Sequence, residues 1–436
     1  MRALGIVDAP SSARGKTIEP RVRRRQLMAA SIGNVFEYYD FTVYAFLAPI
    51  LSRNFFPNEN EVASLLASFA TFGVGFLARP VGGFIIGRIG DKEGRRTALL
   101  ITIFGMAIGT VGIGLLPTYA QIGVLAPILL VITRLLQGLS AGGEWGSATS
   151  FIAESAPQGR RGYLGAIGQA SISAATLLGS LVAAGVNTAF TPDQMQDWAW
   201  RTPFLFGGLL LPIGFYMRRN IEETPVFESE RNKAPQTPPQ LGSPLSMMAK
   251  AFGFTIAWTV SYYIMLHYMP TFLAKHAGLS QSKALWGNAI ALAVLVAATP
   301  FFGLLSDRIG RKPLLLTSCA ALVILPWPVF YVILNNASFL TIVCLQILVN
   351  LSIAGFSGGG PAALAELFPT HSRILLMSVS YSLSTAIFGG FAPFIATWLI
   401  DRTGSPISPT YYLIASGIAS GLVILRFRET AHEELH

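Results

Sequence analysis

The sequence predicts an all-α integral membrane protein of twelve transmembrane helices, arranged as two pseudo-symmetric six-helix bundles. Composition comes first: 52% of the residues are apolar and only 12% charged, against roughly 25% charged in a soluble domain. The charges are segregated, leaving apolar runs of about 20 residues, the length a helix needs to cross a bilayer. Second, the charged segment 87–96 (G-R-I-G-D-K-E-G-R-R) recurs as 303–312 (G-L-L-S-D-R-I-G-R-K), an offset of 303 − 87 = 216 positions. A charged loop repeated at half the chain length marks a duplicated architecture. Third, the stretch 220–246 carries Pro225, Pro235, Pro238, Pro239 and Pro244 among charges. Such a segment buries no core and divides the chain as a linker.

The elements follow in order. Residues 1–26 are polar, lack an apolar signal core, and read as a cytoplasmic tail ending in Arg21, Arg23, Arg24 and Arg25. Apolar runs then place spans at 27–52, 62–88, 97–116, 120–150, 162–188 and 202–219. After the linker come spans at 247–273, 284–305, 313–334, 338–364, 374–400 and 409–427, and a short tail at 428–436. The bundles are therefore 27–219 and 247–427. Of 31 Lys and Arg, 24 fall in alternate loops and the two tails. This is the positive-inside pattern and sets both termini in the cytoplasm. It also reassigns the net charge of +9 from nucleic acid to membrane topology. Cys319 and Cys344 sit in apolar runs near opposite faces and are expected to be unpaired core residues. A second repeat supports the division: Ala153-Glu154, Pro157 and Arg161 match Ala365-Glu366, Pro369 and Arg373.

These motifs carry a resemblance. The G-x-x-x-D-[KR]-x-G-R-[RK] loop, present twice, resembles the signature of the major facilitator superfamily. Gly33-Asn34-Val35-Phe36-Glu37-Tyr38-Tyr39-Asp40-Phe41, Arg79-Pro80-Val81-Gly82-Gly83, the run from Arg134 through Gln137 to Glu144, Asp197-Trp198-Ala199-Trp200-Arg201, and Glu222-Glu223-Thr224-Pro225 are similar to the metabolite:proton symporter family. The likeness spans about 27–430. It implies the major facilitator fold and alternating access around a site near the midplane. Within that family, Arg134 and the stretch 382–390 resemble carboxylate carriers, whereas Tyr262, Tyr263 and 264–270 resemble betaine carriers.

Ionisable residues inside spans cost about 2.5–3.5 kcal/mol at the centre, so each needs a partner or a cavity. Glu37 and Asp40, three apart, share a helix face. A rise of about 1.5 Å per residue puts Asp40 and Arg134 at similar depth, roughly 18 and 21 Å, and Arg79 and Glu144 nearer the inner face. Glu37, Asp40 and Glu144 are the expected proton-coupling groups. Arg134, Gln137, Tyr262, Tyr263, His267 and Asn350 are the expected substrate ligands, with Trp258 and Gln346 beside them. A static ion pair between spans one and four remains the plainer account of Arg134. Arg79, Asp91, Arg95, Arg96, Glu154, Asp307, Arg311, Glu366 and Arg373 are the expected gate: a carboxylate at the membrane surface binds a helix N-terminus or an arginine.

The resulting expectation is a proton-coupled symporter, monomeric in the bacterial inner membrane, that takes up a small organic acid. A zwitterionic osmolyte is the alternative substrate, and drug export a lesser one. No phosphate-binding G-x-x-x-x-G-K-[ST] loop occurs, no His/Cys/Glu spacing suits a metal, and no nucleophile–base pair points to an enzyme. No cofactor is expected.

Overall fold

The computed structural model describes residues 20–93, 95–142, 144–209, 243–370 and 372–431, with 433 and 435. Side chains of 20–34, 36, 87, 90–96, 98 and 99 fall outside that description, as do the tail 1–19 and most of the expected linker and sixth span. The described residues within the expected span limits are helical apart from span ends and short breaks at Ala78, Gly123-Val124, Gly142, Leu325 and Phe391. Among the described residues, seven helices are long and apolar enough to cross a membrane, with shorter apolar ones at Leu100–Leu115 and Pro409–Leu425.

Several spans are interrupted where the chain needs polar chemistry. Span two starts at Glu61, capped by Asn60 accepting from the amides of Val62 and Ala63, and ends its first helix at Leu77. A second helix, Arg79–Glu93, continues it. Span four divides at Gly142, which is extended (φ −67°, ψ 125°), between Leu125–Ala141 and Glu144–Ser155. Spans seven and eleven each widen into a π turn, Tyr263–Tyr268 and Thr385–Gly390, just before Pro270 and Pro393. A proline donates no backbone hydrogen bond, so a carbonyl one turn back loses its partner. Asn288 Nδ2 donates to the Leu266 carbonyl at 3.0 Å, and the Tyr412 hydroxyl to Phe388 at 3.0 Å. The widened turns are thus satisfied from neighbouring spans.

Packing follows the duplication. Span one packs on five as seven packs on eleven; two on four as eight on ten; three on four as nine on ten. Between the bundles, span five packs on eight and span two on eleven, related by the same exchange of halves. These crossings demand glycine. A Cβ on Gly138 would lie 1.8 Å from the Gly75 carbonyl oxygen, and one on Gly162 2.8 Å from that of Gly303. Among small-residue crossings of this kind, the gain comes from close backbone packing. Cys319 is buried as expected, whereas Cys344 is exposed on the bundle surface and free. Its residue faces outward on span ten, a position that apolarity alone does not distinguish from core.

The Gly138 crossing yields a prediction. Gly138→Val is expected to lower stability by about 1–3 kcal/mol through overpacking, while Gly185→Ala, with open space around it, stays neutral. Thermal melts followed by size-exclusion chromatography check both; equal melting temperatures would show that spans two and four are not held by this contact.

Candidate functional site between the two bundles

Among the described residues, the carboxylates and arginines buried at the centre are Glu37 (0% exposed), Asp40 (6%), Arg79 (4%) and Arg134 (0%). They sort into two groups. Glu37 Oε1 lies 3.0 Å from Arg79 Nη2. The Arg79 guanidinium stacks over Phe41 (4.3 Å) and Phe76 (4.4 Å), with Tyr38 at 5.9 Å. The same rise of about 1.5 Å per residue puts Glu37 at roughly 22 Å and Arg79 at roughly 26 Å from the outer face, so the contact agrees with their depths, although the sequence did not pair them.

Asp40 and Arg134, expected at equal depth, do meet, but through intermediaries. Arg134 Nη1 donates to Gln137 Oε1 at 2.8 Å, and Gln137 Nε2 donates to the Thr110 hydroxyl at 2.8 Å. Thr110 in turn bonds Asp40 Oδ2 and donates to the Met106 carbonyl at 2.9 Å. The guanidinium is walled in: Phe41 and Tyr44 lie 4.5 and 4.4 Å away, and Nη2 donates to the Phe72 carbonyl at 3.4 Å. Thr110 was missed from sequence, since a threonine in an apolar run carries no distinguishing signal. Its only cue is helical position opposite Gln137.

The other bundle contributes rings and amides. His267 is buried and shares a hydrogen bond with Thr42 Oγ1 through Nε2 at 3.2 Å. Tyr263 stacks on it at 4.9 Å and meets Phe76 edge-on at 5.2 Å. The Tyr262 hydroxyl pairs with Thr176 at 3.2 Å, and the Tyr38 hydroxyl with that of Tyr381 at 3.4 Å. Tyr381 stacks on Trp145 at 3.7 Å, and Trp258 Nε1 donates to Ser357 at 3.1 Å. Asn350 and Gln346 are each 1% exposed. The Asn350 carbonyl oxygen, both Gln346 amide atoms and His267 Nδ1 have no hydrogen-bond partner among the described residues. Glu144 opens the second helix of span four and is half-buried.

Both ends of this compartment are closed. At the end bearing the 303–312 loop, Asp307 accepts from the amides of Gly162 and Tyr163, each at 2.8 Å, at the N-terminus of Arg161–Ala189. A side chain at Gly162 would collide with Asp307 and Arg311, so glycine leaves the amide open to the carboxylate. Arg311 Nη1 donates to Asp307 at 2.8 Å and its Nη2 faces Glu366 at 3.3 Å. Arg161 faces Glu366 at 3.6 Å and Arg373 pairs with Glu154 at 2.7 Å, both across the bundles. The side chains of Asp91, Arg95 and Arg96, the first copy of this gate, lie outside the described residues. At the far end Ser180 Oγ donates to the Leu285 carbonyl at 3.0 Å and Thr188 pairs with Ser282 at 2.7 Å.

The sequence did not single out the C-terminal contribution. Glu429 accepts from the amides of Arg311 and Lys312 at 2.9 and 3.0 Å, capping span nine, and Thr430 donates to Glu366 at 2.6 Å. Burial alone would raise the Glu429 carboxyl, but the amides of Arg311, Lys312, Ala431 and Thr430 hold it below its ordinary value of 4.5. Arg161 also donates to the Glu433 carbonyl at 2.8 Å. No group of three metal-ligating side chains occurs among the described residues.

Known proteins share this architecture. The family model described as "Sugar (and other) transporter" matches residues 26–238 and 245–436. The proline/betaine transporter of Escherichia coli strain K12 is 35% identical over 431 residues, covering 94% of this chain and 85% of that one. A putative proline/betaine transporter of Staphylococcus aureus strain COL is 34% identical over 413 residues, covering 93% and 88%. The proton:xylose symporter XylE bound to 6-bromo-6-deoxy-D-glucose has the same fold, with TM-score 0.77 at 18% identity over 96% of this chain and 98% of that one. XylE from E. coli in a partially occluded inward-open conformation gives 0.77 over 95% and 100%. The chain belongs to the sugar (and other) transporter family of the major facilitator superfamily, and is a membrane transporter of twelve helices in two six-helix bundles.

Proposed function

We propose that the chain carries out proton-coupled uptake of a zwitterionic osmolyte of the proline or betaine class. This replaces the organic acid expected from Arg134. The observation that carries the reading is the commitment of that arginine inside its own bundle: Nη1 donates to Gln137 and Nη2 to the Phe72 carbonyl, so both terminal nitrogens are already donating to neutral groups of the relay. Two relatives of this substrate class at 34% and 35% identity support the same choice.

In this reading Arg134 serves the proton. Asp40 is joined to it by Thr110 and Gln137. Thr110 has one proton to give, and its neighbours are the Met106 carbonyl and Asp40 on one side and the Gln137 amide on the other. Donation to Met106 leaves its contact with Asp40 complete when Asp40 carries a proton. Loss of that proton leaves a carboxylate that draws on Arg134 through the same chain. Asp40 thus changes charge without stranding it in low dielectric. The loop end faces the cytoplasm, where Asp307 holds the helix N-terminus of span five while that side is shut, and releases it when the bundles rock apart.

Two predictions test this. In proteoliposomes, an inward proton gradient is expected to drive accumulation of glycine betaine. Asp40→Asn is expected to abolish accumulation while retaining exchange of labelled for unlabelled betaine; uphill uptake by the variant would remove Asp40 from the coupling. Asp307→Asn and Glu429→Gln weaken the closed end, so uptake rate falls while the betaine dissociation constant stays within about threefold, under ~1 kcal/mol. A large affinity loss with normal turnover would place either residue in the binding site instead. Because the Glu429 carboxyl lies below 4.5, its contribution is complete at neutral pH and is lost only as pH falls through that lower value.

A further inference from the structure

The Glu37–Arg79 pair is absorbed neither by the gate nor by the proton path. Its members are 0% and 4% exposed and 3.0 Å apart. Taking two ions out of water costs several kcal/mol each, and apolar residues of similar size often give a more stable protein. A pair kept in that position points to a ligand. Its position agrees. Glu37 and Arg79 come from one bundle, while Tyr263 and Tyr381 reach the same place from the other, the Tyr38 and Tyr381 hydroxyls meeting at 3.4 Å and Tyr263 meeting Phe76 beneath the guanidinium. The pair therefore sits on the surface along which the bundles part. Arg79 Nε has no hydrogen-bond partner among the described residues, so one edge of the fork is unclaimed.

We propose that Glu37 and Arg79 form the zwitterion subsite. A substrate with a carboxylate and an ammonium group one carbon apart exchanges with the internal ion pair. Its carboxylate takes the Nε edge of Arg79 and its ammonium takes Glu37, with the rings of Tyr38, Tyr263 and Tyr381 around it. The proposal deepens the reading above and rests on it. Before and after binding, each charge faces an opposite one. A simple anion would be repelled by Glu37, and a simple cation by Arg79, so the pair selects by exclusion as well as attraction. A dicarboxylate would place its second carboxylate against Glu37. A quaternary ammonium has no N–H to donate, and the tyrosine faces supply its contacts. A secondary ammonium such as proline's donates to Glu37 directly.

The test uses the purified full-length protein and calorimetric titration with three ligands of one shape. Glycine betaine carries both charges, 3,3-dimethylbutyrate only the carboxylate, and choline only the cation. Wild type is expected to bind betaine about tenfold or more tightly than either single-charge ligand. Glu37→Gln is expected to lose betaine affinity and to gain dimethylbutyrate over wild type. Arg79→Gln is expected to do the reverse, gaining choline. Because either single change strands a buried charge and endangers folding, the double variant E37Q/R79Q is measured beside them. It strands none, is expected to keep the wild-type melting temperature, and should lose the preference for betaine. A double variant that binds betaine as wild type does overturns the subsite, as do single variants whose ligand ranking is unchanged. A wild type that binds neither betaine nor proline, titrated beside it, overturns the substrate class itself, and the subsite with it.

Discussion

A charge inside a bilayer has to travel with its own compensation, and the rest of this structure depends on that constraint. In water a lone carboxylate is free to ionise; in a span it must find a cation, a proton or a hydrogen-bonded chain. Glu37 meets the requirement by direct contact with Arg79. Asp40 and Arg134 meet it through Thr110 and Gln137. The two solutions differ in what they permit. A direct pair can be exchanged for a ligand of equal and opposite charges, whereas a relayed one can absorb a proton without any ligand entering.

The duplication supplies the moving parts. Because span five meets eight and span two meets eleven, each bundle presents the same pair of elements to the other, and the interface can rock about its pseudo-symmetry axis. At the loop end the contacts are polar and directional: a carboxylate on two amides at 2.8 Å, and ion pairs across the bundles. Such contacts are worth about 0.3–2 kcal/mol each, enough to bias a two-state equilibrium and weak enough to release. The far end closes on hydroxyls and carbonyls instead. The C-terminal segment joins the gate through Glu429 and Thr430, so the last span and the loop end form one mechanical unit.

The fold was legible in the sequence for physical reasons. Segregated charge reports solvent contact directly, and a loop carboxylate at a membrane surface reports a helix N-terminus to bind, as Asp307 does at the amides of Gly162 and Tyr163. Pairing was not legible. Counting residues gives Glu37 and Arg79 comparable depths but does not say which helix faces meet, which is why the two were not paired. Thr110 looks neutral in any hydropathy reading, although it occupies the centre of the relay. Glu429 follows the last span, where a charge ordinarily means solvent. Arg134 was read as a ligand for anions because sequence shows that a guanidinium is present, not that its Nη1 and Nη2 donate to Gln137 and the Phe72 carbonyl.

On the proposed reading, charge compensation also governs what crosses the membrane. A zwitterion is neutral overall, so its entry with one proton on Asp40 moves net positive charge, whereas a monocarboxylate with one proton moves none. The direct measurement is current from proteoliposomes on a solid support, at equal pH on both sides, when glycine betaine is added outside. The account predicts an inward positive current in wild type that disappears in Asp40→Asn. Betaine uptake without current in the wild type would contradict it.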